Sequence, residues 1–322
     1  ATAIGGNVKA TGNGSVAIGG DDLGTIDRTL YTTLTGATLP TTYVSTEASG
    51  GGATALGVQA KADGEFGTAI GMTSLASGDA SVSIGAKATA SKDATTAIGV
   101  NSSASEKYAS AIGLNSTASG EYATSIGAGG KTVANATQAT KAGALALGGN
   151  ETAGAKALGV DSIAIGGQSV AGSSTTARAI ALGLGAQSLG SSSVSIGEST
   201  LAKYSNSVGL GAGSQAKSDY IVSIGAGAGK TKNDTSQTTN GDNPANESFG
   251  IYIGTEAGLN SSGNQNTVIG SYAAGANLAG AGNTVLGAQA GRSYEGNQNV
   301  ILGRGAGFTD EGGKAVGNNN VM

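Results

Sequence analysis

The dipeptide Ile-Gly or Leu-Gly returns at a fixed interval, with its glycine at Gly57, Gly71, Gly85, Gly99, Gly113 and Gly127, a step of 14 residues. The same step joins Gly5 to Gly19 and links Gly183, Gly197, Gly211 and Gly225. From Gly254 it lengthens to 16 or 17, through Gly270, Gly287 and Gly303. A constant period of this kind marks a solenoid, in which each repeat is one small unit that buries itself against its neighbours. Fourteen residues cannot hold a strand and a crossover helix, but they suffice for two short strands and two turns. The period therefore predicts an all-β chain of stacked parallel coils, a β-roll.

One unit reads Ala111-Ile112-Gly113-Leu114-Asn115-Ser116-Thr117-Ala118-Ser119-Gly120-Glu121-Tyr122-Ala123-Thr124-Ser125-Ile126-Gly127. The first strand ends at the Ile-Gly pair, the second carries Ser116 and Ala118, and a turn follows at Ser119-Gly120-Glu121. The pairs Asp63-Gly64, Ser77-Gly78 and Ser119-Gly120 are expected to supply the positive φ of that turn. Alternation along the first strand places Ile70, Ile84, Ile98, Ile112, Ile126, Ile196 and Ile224 at one phase, read as the core ladder. Val82, Thr96, Ser110 and Thr124 share that face.

The opposite face then carries small residues such as Ala69, Ala97, Ala111 and Ala164. Small uncharged side chains at regular spacing predict the approach of another backbone, and a three-fold association would close these faces around a shared core. The alternative is that they meet solvent. Phe66, Tyr108, Tyr122 and Tyr220 lie four residues before the isoleucine. Their parity suggests that they seal the isoleucine layer; exposed, they would form a binding stripe.

Composition narrows the function. The chain of 322 residues has 59 Gly, no His, no Cys and 12% charged residues. Glycine without a Gly-X-Y period is not collagen, and regularly placed isoleucine argues against disorder. Without His or Cys the common catalytic triads and zinc clusters are unavailable, so no enzyme activity, catalytic residue, metal or cofactor is expected. The run Gly225–Thr231 approaches a phosphate loop, but Ile224 stands where that loop needs glycine. A net charge of -4 with no basic cluster makes nucleic acid an unsuitable partner. No apolar run approaches a membrane span. Glu65, Asp79, Asp93, Glu121 and Asp219 recur near the second turn and read as a solvated stripe. Both ends of the chain lie within repeats, as expected of a piece of a longer protein.

Three interruptions organise the chain. Residues 1–229 read as a roll of 14-residue repeats, broken at about 21–49 and briefly at about 129–141; 230–247 is a polar loop; 248–322 continues the roll with Asn-rich repeats of 16 or 17 residues. The first break carries Leu23, Ile26, Leu30, Tyr31, Leu34, Leu39 and Tyr43, which predicts a packed excursion, a hairpin being the expected form. Arg28, Tyr31 and Tyr43 are its candidate ligand contacts, because Arg and Tyr are frequent binding anchors; bracing of a neighbouring protomer is the competing role.

The units Ser15-Val16-Ala17-Ile18-Gly19, Val82-Ser83-Ile84-Gly85, Thr96-Ala97-Ile98-Gly99 and Ser110-Ala111-Ile112-Gly113 resemble the head repeats of YadA-like trimeric autotransporter adhesins. The resemblance covers nearly the whole chain apart from the insertions. It implies a left-handed parallel β-roll intertwined as a homotrimer on the surface of a Gram-negative bacterium, held in the outer membrane by a C-terminal region beyond this chain. It also implies attachment to host extracellular-matrix proteins, cell-surface receptors or other bacterial cells. Only Gly14-Ser15-Val16-Ala17-Ile18-Gly19 approaches the Asn-Ser-Val-Ala-Ile-Gly repeat associated in that family with collagen. The Asn264-Gln265-Asn266-Thr267-Val268-Ile269-Gly270 dialect also resembles segments of trimeric phage tail fibres, which would serve viral attachment.

Overall fold

The computed structural model describes residues 1–20, 26–39, 41–42, 44–129, 132–230, 249–275, 278–308 and 315–321. It divides into two compact units, Ala1–Gln168 and Ser169–Met322. Each is a parallel β-solenoid; the described helical segments are Arg28–Thr35 and the short 3-10 turn Val133–Asn135, both in the first unit.

In the first unit a three-residue strand alternates with one that is two residues long from Lys61–Ala62 onward. Thr96–Ile98 pairs in parallel with Val82–Ile84 on one side and Ser110–Ile112 on the other, bringing Ile84, Ile98 and Ile112 into register. Thr89–Ala90 pairs likewise with Leu75–Ala76 and Ser103–Ala104. Two parallel sheets result, and each coil's hydrogen bonds go to the coils before and after it: Thr96 N donates to Ala109 O at 2.9 Å. Strand backbone groups are therefore satisfied by repetition, while the turns close within their own coil, as Ala88 N does on Gly85 O at 3.1 Å.

The interior is narrow. Ala69, Ala97, Ala111, Ala146 and Ala164 from the long strands, and Ala76, Ala90, Ala104 and Ala118 from the short ones, are fully buried. Where serine replaces alanine it bonds across the coil, Ser83 Oγ to Ala88 O at 2.7 Å and Ser125 Oγ to Thr137 O at 2.9 Å. These bonds fix the direction of the middle residue: it points inward. The isoleucines on either side of this phase must point outward, and Ile70, Ile84, Ile98, Ile112 and Ile126 are only half-buried. The ladder exists, but its face is the reverse of the expected one. Two strands drawn together by a 14-residue loop leave a gap that methyl and hydroxymethyl groups fill, and isoleucine there would overpack it.

The turns also differ from expectation. Gly64 lies outside the left-handed region; a Cβ there would fall 2.0 Å from Gly78 O, so glycine is required by the adjoining coil. The left-handed residue comes two places later, at Phe66, Tyr108 and Tyr122, with φ of 56°, 61° and 58°.

The first excursion is a helix and not a hairpin. Asp27 caps Arg28–Thr35 by accepting a hydrogen bond from Leu30 N, and Gly36 ends it at φ 65°. Acceptor and stop are standard helix boundary chemistry. Its inner row, Tyr31 and Thr35, is buried, and Tyr31 and Leu39 pack with Ile26, Ala37, Val58 and Met72. The coil resumes at Thr46–Ala48, paired with Val8–Ala10 and Lys61–Ala62.

The second unit begins with the same narrow coil: Ser195 Oγ donates to Gln187 O at 2.6 Å and Ser223 Oγ to Gln215 O at 2.9 Å. Ile196 and Ile224 flank Leu210 in register on the outer face, half-buried like their counterparts. From Ile251–Ile253 onward the interior widens to hold Tyr252, Val268, Val285, Ile301, Leu278 and Tyr294. Longer repeats give a longer perimeter, and larger side chains occupy it. Asn266, Asn283 and Asn299 stack as a fully buried ladder. Asn283 Nδ2 donates to Asn266 Oδ1 at 3.1 Å and to Gly296 O at 2.9 Å, and Asn299 Nδ2 repeats the pattern on Asn283 Oδ1 at 2.9 Å. The polar loop expected at 230–247 lies, beyond Lys230, outside the described residues.

Candidate functional site

Binding surfaces on a coil of this kind are its outer sheet faces and its turn edges. The outer face of the long strands is the more apolar. In the first unit Ile4, Ile18, Leu56 and Leu147 stand 55%, 37%, 42% and 38% exposed. They share one register with half-buried Ile70, Ile84, Ile98, Ile112 and Ile126. Scattered exposed aliphatics are ordinary on protein surfaces, whereas these form a continuous row. The residues expected to form an internal ladder therefore form an external one, while Ala97 and Ala111, expected outside, line the interior.

The second-turn edge carries the aromatic side chains. Phe66, Tyr108, Tyr122 and Tyr220 are all exposed, so they do not seal the isoleucine layer. Their left-handed backbone swings the side chain off the sheet and onto the rim. Tyr108 and Tyr122 stack with ring centroids 4.9 Å apart and planes 11° apart. In the second unit Tyr220 and Phe249 stack at 5.0 Å and 8°. The coil repeat sets this distance, since neighbouring strands lie about 4.8 Å apart.

Of the carboxylates on the same edge, Glu65 and Glu121 are exposed, whereas Asp79, Asp93 and Asp219 have partners. Asp79 Oδ1 accepts from Glu65 N at 2.9 Å and Asp219 Oδ1 from Ser205 N at 2.8 Å, each reaching back one coil. Lys107 Nζ lies 3.0 Å from Asp93 Oδ2. The hydrogen bond and charge of Lys107 hold the Asp93 carboxyl below its ordinary value, and Asp93 in turn raises the Lys107 ammonium.

The three candidate contacts of the excursion separate. Arg28 is exposed and donates from Nη1 to Leu39 O at 3.2 Å. Tyr31 is 5% exposed, its hydroxyl 2.8 Å from Thr73 Oγ1. It is buried as an anchor for the helix and offers no free surface to a ligand. Tyr43 lies outside the described residues. Thr73 and Lys87, whose Nζ donates to Thr35 O at 3.2 Å, complete the attachment. Neither was marked by the repeat, because both occupy variable positions in the first turn.

The YadA head domain repeat (2 copies) matches residues 1–21, 48–74, 76–102, 104–129 and 153–173. The matched stretches skip the helical excursion and the 3-10 turn, where the coil is interrupted. Among curated proteins nothing matches the chain.

Proposed function

We propose, from the match of its repeats to the YadA head domain repeat, that the chain is the adhesive head of a homotrimeric autotransporter on a Gram-negative cell surface. The outer isoleucine stripe is the observation that carries the reading. A coil filled with alanine and serine buries little apolar area on its own, while its larger aliphatic side chains stand on the outside. Packing three such stripes about a common axis removes them from water and supplies the core that the single coil lacks. The second-turn edge, with its aromatic stacks and carboxylates, then faces outward and is the surface offered to host extracellular-matrix proteins, cell-surface receptors or other bacterial cells. Repetition of the edge allows several weak contacts to add as avidity.

Analytical ultracentrifugation tests the assembly, with a trimer expected for the wild type and dissociation expected for Ile98→Asp with Ile112→Asp. A wild-type monomer at all concentrations refutes the reading. Adhesion is tested by coating beads with the trimer and counting those retained on matrix-coated and cell-coated surfaces. Retention equal to that of uncoated beads on every surface refutes the adhesive role.

A further inference from the structure

The helix Arg28–Thr35 has two rows. Tyr31 and Thr35 face the coils and are buried, whereas Leu30 and Leu34 are 53% and 43% exposed. Residues four apart on a helix are neighbours, so the two leucines form a single apolar ridge. Arg28 is the helix's only charged residue. Thr33 turns its hydroxyl back to Thr29 O at 2.8 Å, which leaves the outer surface with fewer unspent polar groups.

The ridge is held in place. Its helix is fastened through the Tyr31 hydroxyl to Thr73, through Lys87 to Thr35 O, and through fully enclosed Leu39. A surface fixed in advance loses little freedom on contact. The fastening points are also informative. Val58, Met72, Thr73 and Lys87 lie in the turns that directly follow Leu56, Ile70 and Ile84. The ridge is thus mounted at the edge where the strands of the apolar stripe end, and on the same coils.

We propose that Leu30 and Leu34 pack along the edge of the apolar stripe of a second copy of this chain, where its strands end at Leu56, Ile70 and Ile84, beside the three-fold contact of the stripes themselves. The proposal rests on the reading of that stripe as the contact between copies, and it adds an intertwined element: the helix of one protomer reaches across to its neighbour. Each chain holds one ridge and one stripe. In a closed ring of parallel copies every ridge therefore finds a partner and none is left over. A polar ligand or matrix protein would need charged and hydrogen-bonding groups that this ridge does not offer.

The chain contains no cysteine, which makes cross-linking a direct test. Leu30→Cys and Ile70→Cys are made as separate variants, co-expressed and oxidised. A disulfide-linked dimer carrying one chain of each kind is expected on a non-reducing gel, and Ile84→Cys with Leu34→Cys serves as a second pair. Leu30→Asp with Leu34→Asp is expected to raise the concentration at which trimers dissociate at least tenfold, with the circular dichroism of the coils retained. Where the wild type is a trimer, failure of both cysteine pairs to give a mixed cross-link, or an Asp variant that dissociates at no higher concentration than the wild type, overturns the proposal alone. A wild-type monomer overturns the underlying reading as well. Unchanged assembly with lost attachment in the Asp variant assigns the ridge to an outside ligand and also overturns it.

Discussion

Ala97 and Ile98 are chain neighbours that face opposite ways, Ala97 fully enclosed in its coil and Ile98 half-exposed on the outer face. The two positions should respond oppositely to changes in size. Ala97→Leu forces a large side chain between strands spaced for methyl groups and is expected to cost about 1–3 kcal/mol or more of coil stability. Ile98→Ala opens no cavity inside the coil and should leave its internal packing intact, lowering association instead. Thermal unfolding across a dilution series distinguishes the two. Comparable loss of coil structure at both positions, independent of concentration, contradicts the assignment of faces.

The phase of the ladder was the part of the fold least legible beforehand. The period was plain, because the glycines that mark it are demanded by coil contact: a Cβ on Gly85 would fall 2.6 Å from Gly99 O. The two faces of the strand, however, both repeat cleanly, isoleucine on one and alanine on the other. Large apolar residues normally read as interior. Here the width of the gap between strands decides, and it is set by the loop length and not by hydrophobicity. The readable signal was serine at the alanine phase, Ser83, Ser125, Ser195 and Ser223, where an inward hydroxyl finds a carbonyl across the coil. The helix was equally readable, from Asp27 three residues before Leu30 and from Gly36 at its end, once caps are weighed above the expectation of a hairpin. Tyr31 reads by residue type as a ligand contact, whereas the structure buries it with its hydroxyl on Thr73, a partner that nothing local announces.

The asparagine ladder should be the most sensitive polar element of the second unit. Asn283→Ala removes the oxygen that accepts from both Asn299 N and Asn299 Nδ2, at 3.0 and 2.9 Å, and the amide that donates to Gly296 O. Each buried group left without a partner costs about 1–3 kcal/mol. Hydrogen exchange is expected to accelerate around residues 266–299, with the coils before Gly225 unchanged. Unaltered protection would show that water replaces the amide.

Anchoring of the helix can be dissected at one side chain. Tyr31→Phe keeps the ring and deletes the bond to Thr73, an expected loss of about 0.5–1.5 kcal/mol. Tyr31→Ala also removes the ring from its buried site, where aromatic truncations cost about 3–5 kcal/mol. The loss should be local: amide exchange in Arg28–Thr35 rises while that of Thr54–Leu56 and Thr68–Ile70 does not. Global melting in Tyr31→Ala would mean that the helix supports the coils.

The Asp93–Lys107 pair gives a small pH signature. The Asp93 carboxyl is lowered in the folded chain, so its contribution is present above the unfolded value of about 3.9 and is lost as pH falls through the folded one. The Lys107 ammonium is raised; its contribution is present below the unfolded value of about 10.4 and is lost as pH rises through the folded one. Asp93→Asn should therefore lower the melting temperature slightly near neutral pH, match the wild type in strong acid, and lose its effect in high salt, because the pair is exposed. An equal deficit at every pH would point to the packing of Asp93 and not to its charge.

Each coil of the first unit hands its successor the same surface that it received, with Ile98 meeting Ile112 as Ile84 meets Ile98. Deleting or duplicating one whole repeat thus creates a junction chemically equivalent to those already present, whereas adding a single residue breaks the register on both sheets. Under unequal recombination the number of coils is free to drift while their cross-section is conserved. A lineage can lengthen or shorten the roll in whole steps, without reinventing a core.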